Sequence, residues 1–122
     1  MIHIWTMQLS KWRLAKRDGI HILNITAQSG LQCFAPEFEN VRLYKKGALT
    51  QDEYTALYLE KMRRCYVQYR NEWNRLEEIE KMALTCYCKA GDYCHRHLFK
   101  DCLTKYFDVK KIEYEFHGEL VE

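Results

Sequence analysis

The run Cys86-Tyr87-Cys88-Lys89-Ala90-Gly91-Asp92-Tyr93-Cys94-His95-Arg96-His97 gathers three of the chain's six cysteines and two of its five histidines, with one lysine and one arginine. These residue types support three kinds of chemistry. A cysteine close to a cation is readily deprotonated and becomes a nucleophile, for which an adjacent histidine can act as base. Cysteine and histidine together make a donor set that suits zinc. Arginine, lysine and free backbone amides hold phosphate groups.

The flanking pattern says which of these groups can meet. An apolar run, Met82-Ala83-Leu84-Thr85, leads in, and Leu98, Phe99, Cys102, Leu103 and Tyr106 recur at helical spacing beyond it. The segment therefore reads as strand, tight turn at Gly91 and helix start, with Asp92 as the expected N-cap. α/β proteins place anions and reactive thiols at this kind of junction. Arg96, His95, Lys89 and Gly91 are the ligand-binding candidates, with Arg96 as the anchor. If the site is catalytic, Cys94 or Cys86 is the nucleophile and His95 the base. A phosphatase loop needs arginine six positions after its cysteine, whereas Asp92 and Cys94 stand six after Cys86 and Cys88. For a metal, the candidates are Cys86, Cys88, Cys94 and His97, with zinc the ion they would take. The chain lacks the paired Cys-x2-Cys spacing of ribbons and fingers, so no cofactor is favoured. Cys102 is more simply a small buried apolar residue.

The elements that must position this run follow from the rest of the chain. Ile2 to Met7 reads as a short strand, Ser10 to Gly19 as a basic segment closed by the Asp18-Gly19 turn, and Ile20 to Ile25 as a second, buried strand. Thr26 to Pro36 is a loop of small and polar residues ending in the chain's one proline, which fixes a corner. Val41 to Lys46 is a short helix stopped at Gly47. Thr50 and Glu53 form a capping box that opens a long amphipathic helix through Tyr69. Trp73, Leu76 and Ile79 extend the apolar face. Ile112 to Phe116 alternates as a half-exposed strand near a sheet edge. The expected fold is α/β: one domain over residues 1–122, a small, mainly parallel sheet covered by helices in a Rossmann-like arrangement of two or three layers.

Loops after parallel strands emerge at the carboxyl edge of a sheet, where open α/β folds bind ligands. Three loops are expected there: the basic Gln8–Arg17 segment, the Thr26–Pro36 loop and the Cys88–Asp92 turn. They add Lys11, Thr26, Ser29, Gly30 and Pro36 to the candidate ligand-binding residues. The expected ligand is a phosphorylated or nucleotide-derived anionic small molecule, bound or sequestered without turnover. The alternative is a thiol-dependent enzyme acting on the same kind of molecule.

Composition removes several other classes. Residues 1–50 carry seven Lys/Arg against three Asp/Glu, and residues 51–122 carry twelve against fourteen, for a net charge of +2 and a pI near 8.2. That balance is low for a dedicated nucleic-acid binder, so nucleic acid is not an expected partner. No stretch approaches the roughly 20 apolar residues of a membrane span, and no signal segment opens the chain. Both point to the cytoplasm, where the six cysteines would be reduced.

The central run resembles the signature of a small bacterial and phage family, domain-of-unknown-function 488. The likeness continues through Ile25-Thr26-Ala27-Gln28-Ser29-Gly30, Phe34-Ala35-Pro36, Tyr44-Lys45, Glu53-Tyr54, Tyr58-Leu59 and Trp73. Cys86, Cys94, His95 and Arg96 fall on its signature positions, while Cys88 stands where many relatives carry an acidic residue. The resemblance implies an α/β fold with a site near this loop, and supplies no activity.

Overall fold

The computed structural model describes residues 1–27, 30–88 and 93–121. Four strands form one all-parallel sheet: β1 (Ile2–Gln8), β2 (His21–Asn24), β3 (Lys81–Cys86) and β4 (Tyr114–Glu119), in the order β2-β3-β1-β4. A 3-10 turn and helix α1 (Trp12–Arg17) connect β1 to β2. Helices α2 (Phe38–Lys45), α3 (Gln51–Gln68) and α4 (Arg70–Leu76) lie between β2 and β3, and α5 (His95–Val109) between β3 and β4.

This order explains the layering. The β1-to-β2 connection runs one way across the sheet and the β2-to-β3 and β3-to-β4 connections run the other. Right-handed crossovers then place α1 on one face and the later helices on the other. The main core follows: Ile2 and Ile4 of β1, Leu23 of β2 and Met82 and Leu84 of β3 pack against Tyr58, Met62, Trp73, Phe99, Leu103 and Phe107. The opposite face is thinner: among the described residues Met7, Ala15, Ile20 and Ala83 are buried together there, with Trp5, Ile22 and Leu120 packed against them. β3 pairs on both sides and is buried at every position after Lys81, as a near-continuous apolar run requires.

The expected capping box is present. Glu53 N–H donates to Thr50 Oγ1 at 3.1 Å, and the Thr50 amide donates back to Glu53 Oε1 at 2.9 Å. The long helix breaks at Tyr69 (φ −125°, ψ 46°), two residues before Asn71.

One irregularity governs the site. Ile4 pairs with Phe116, but Thr6 pairs with Glu119, so β4 carries one extra residue in a bulge. Gly118 sits in it with φ +86°, a left-handed conformation that glycine adopts without steric cost. Tyr114 and Phe116 face α5, and strict alternation would send Glu119 to the opposite face with His117. The bulge instead turns Glu119 under α5, where Thr6 Oγ1 donates to its carboxylate at 2.6 Å.

Six reduced cysteines were the expectation from composition, and the structure differs. Cys33, in the Thr26–Pro36 loop, is disulfide-bonded to Cys65 on α3, because the loop folds over that helix.

Candidate functional site at the carboxyl edge

β3 ends at Cys86, and its side chain points to the α5 side of the sheet. Arg96, in the first turn of α5, is completely buried, with no exposed surface. Its guanidinium donates to Cys86 Sγ and to the Cys88 carbonyl, each at 2.9 Å, and to both Glu119 carboxylate oxygens at 3.3 and 3.0 Å. A buried cation requires a countercharge and full hydrogen bonding, and Glu119 supplies the charge. Arg96, the expected ligand anchor, is held in this structure as a clamp. It ties the chain just beyond β3 to α5 and β4.

His95 is equally enclosed. One ring nitrogen, Nε2, lies 2.6 Å from the Ile25 carbonyl at the end of β2, and Nδ1 lies 3.7 Å from Cys94 Sγ. A carbonyl can only accept, so Nε2 carries the proton and Nδ1 presents its lone pair towards the Cys94 sulfur. Burial is the main cause that lowers the His95 pKa to about 4, with Arg96 adding to it. The imidazole is therefore neutral near pH 7.

The sulfurs of Cys86, Cys88 and Cys94 converge, all within 4.8 Å of one another. Cys86 and Cys94 are drawn into a sulfur–sulfur pair with Cα atoms 7.8 Å apart, wider than the roughly 4.4–6.8 Å that disulfides usually span. Cys88 is a free thiol. His97, the fourth metal candidate, is not part of this cluster among the described residues.

These residues form one wall of a cavity of about 540 Å³ at the carboxyl ends of β2 and β3. Thr26 and Ala27 line it from the β2 loop, and Cys86, Tyr87, Cys88, Tyr93, Cys94 and His95 from the β3–α5 junction. The far wall comes from α2 and α3: Phe38, Val41, Arg42, Tyr44, Lys45, Lys46 and Tyr54. Tyr44 and Tyr54 stack with ring centroids 4.8 Å apart, and Tyr93 meets both edge-on. The Tyr93 hydroxyl also hydrogen-bonds Thr55 on α3.

Of the residues chosen from sequence, Cys86, Cys88, Cys94, His95 and Thr26 thus meet around one cavity. Gly30 and Pro36 act one step behind it. The loop doubles back so closely that a Cβ on Gly30 would lie 2.4 Å from the Thr26 amide nitrogen, and the Gly30 amide donates to the Thr26 carbonyl. Pro36 is buried at the corner leading to α2. Lys11 is not brought in: it lies in the 3-10 turn before α1, which packs on the other face. Lys89, Gly91 and Ser29, and the cap expected at Asp92, lie outside the described residues. The cationic contribution that sequence reasoning missed is Arg42, Lys45 and Lys46. The one signal for it was the Tyr44-Lys45-Lys46 run soon after the Pro36 corner.

A family model described as the active DUF488-N3 subclade matches residues 5–107. The chain belongs to this family. The match runs from within β1 through most of α5 and so includes every described residue of the cavity wall. No curated protein and no solved structure matches the chain. No helix of the described residues is long and apolar enough to cross a membrane.

Proposed function

We propose that the cavity binds a nucleotide-derived anionic small molecule in the cytoplasm. One observation carries this reading: a cavity of about 540 Å³ joins three cationic side chains, Arg42, Lys45 and Lys46, to five aromatic ones at the carboxyl edge of a parallel sheet. Its volume lies within the roughly 300–1,000 Å³ typical of small-molecule sites. Tyr44, Tyr54 and Tyr93 offer π faces and edges for a base, while Lys45 and Lys46 offer charge for phosphate. Arg42 is shared with Glu39 in a surface ion pair and contributes less.

The test is a thermal-shift series with nucleoside monophosphates, nucleoside diphosphates and ADP-ribose. Wild-type protein gains melting temperature with the phosphorylated compounds, and Lys45→Met combined with Lys46→Met weakens the midpoint concentration by about tenfold or more. Equal responses from wild type and the double variant would remove the cationic wall from the reading.

A second reading, turnover by a cysteine, is favoured by the Arg96–Cys86 contact and by the word active in the family description. Once a reductant opens the Cys86–Cys94 pair, the guanidinium beside the Cys86 sulfur favours thiolate, which makes Cys86 the better nucleophile candidate. His95, with a pKa of about 4, is a weak base for Cys94 near neutral pH. Alkylation with iodoacetamide under mild reduction, read by peptide mapping, separates the readings. Preferential modification of Cys86, slowed by nucleotide, supports turnover; uniformly slow modification supports binding alone. The cluster of Cys86, Cys88 and Cys94 also offers three sulfur donors to zinc, and native mass spectrometry with and without a chelator tests that.

A further inference from the structure

The open face of the sheet carries a second cluster, remote from the cavity. His3 on β1 and Glu115 on β4 are direct partners in the parallel register, and His117 follows two residues further along β4 on the same face. His3 Nδ1 and His117 Nε2 approach to 2.9 Å, and the Glu115 carboxylate lies within 4.8 Å of both. The rings are held rather than loose. Trp5 stacks on His117 with centroids 4.6 Å apart and planes inclined by 24°, and His3 stacks on His117 at 5.1 Å. The Gly118 bulge begins immediately after His117 and fixes where β4 leaves this face.

The geometry points to a divalent transition-metal site formed by His3, Glu115 and His117. Two imidazole nitrogens each about 2.0–2.1 Å from one ion, at cis or tetrahedral angles, sit about 3 Å apart, close to the separation seen here. Two lone pairs at that distance repel, so without an ion one nitrogen must keep a proton and donate to the other. A metal replaces that proton and lets both rings coordinate. Imidazole and carboxylate donors suit zinc, nickel or copper rather than magnesium or calcium, which prefer all-oxygen shells. Three protein ligands on an exposed strand leave further positions open to water or to an incoming group. Lys81, the other register neighbour of His3, is the nearby opposing charge. The Asp18 carboxyl is held below its usual range first by the hydrogen bond from Arg17 and in smaller part by the charge of Lys81, which thus also reaches α1.

This site is independent of the cavity, and its test must not be confused with zinc bound by Cys86, Cys88 and Cys94. Titration of the full chain with Zn²⁺, followed by NMR of the imidazole ring nitrogens, separates the two. One equivalent is expected to shift His3 Nδ1 and His117 Nε2 together. His117→Ala should abolish the His3 shift, and Glu115→Gln should weaken binding by about tenfold. The stacked core-facing residues of β4 are untouched by either change, and retained amide spectra confirm folding. Ring signals of His3 and His117 that stay still while cysteine Cβ signals move would overturn the proposal. So would a His3 shift that survives in His117→Ala.

Discussion

Replacing Glu119 by Gln tests the clamp that organises the site. The Arg96 side chain is wholly buried and that of Glu119 is 20% exposed, with Nη2 to Oε2 at 3.0 Å. The substitution keeps one acceptor, shared by Thr6 and Arg96 Nε, and removes the countercharge together with the acceptor that faces Arg96 Nη2. Stripping one partner from a buried pair costs about 3–5 kcal/mol, and the partial exposure of Glu119 puts the expected loss near the low end, about 3 kcal/mol. For a chain of this length, with an unfolding entropy of roughly 2 cal/mol/K per residue, that corresponds to a fall of about 12 °C in melting temperature. Calorimetry or denaturant unfolding reads it directly. Adding Arg96→Met removes the stranded cation, so the double variant should recover much of the loss and show clear non-additivity. A Glu119→Gln loss below about 0.5 kcal/mol, or simple additivity in the double variant, would refute the clamp.

Three further outcomes follow from the same structure. Gly30→Ala places a methyl 2.4 Å from the Thr26 amide nitrogen and must move backbone, so a loss of about 2 kcal/mol in urea unfolding is expected. The pKa of His95 falls from its ordinary 6.5 to about 4, mainly through burial. The unfolded chain therefore binds a proton that the folded chain refuses, and stability declines as pH drops from about 6.5 towards 4, by about 3 kcal/mol in all. His95→Gln should flatten that part of the stability–pH curve; an unchanged slope assigns it to other groups. Reducing Cys33–Cys65, whose sequence separation is 32, should cost about 4 kcal/mol by loop-closure entropy, seen as a lower melting temperature in reductant.

Much of this architecture was legible in the residues. Apolar runs at Ile2–Met7, Ile20–Ile25 and Met82–Thr85 identified three parallel strands, because buried parallel strands need no alternation. The Thr50–Glu53 box fixed the start of α3 through two reciprocal hydrogen bonds that any such spacing can make. Cys86, Cys94, His95 and Thr26 could be expected to lie together because strand ends and helix starts converge at one edge. The partner of Arg96 was not legible, since the residue that neutralises it lies 23 positions away and on a strand whose alternation points it elsewhere. Only the Gly118 bulge brings Glu119 under α5, and a one-residue register shift leaves little trace in hydropathy. The same difficulty hid Lys45 and Lys46. Their placement depends on α2 folding back over the cavity from the Pro36 corner, whereas Lys11, equally basic, follows α1 to the other face.

Isothermal titration of the wild-type chain with AMP, adenosine and inorganic phosphate bears most directly on the cavity. The account predicts saturable one-to-one binding of AMP, with adenosine and phosphate each markedly weaker because adenosine meets only the aromatic groups and phosphate only the cations. Binding of phosphate alone as tight as AMP, or no heat from any of the three, would contradict it.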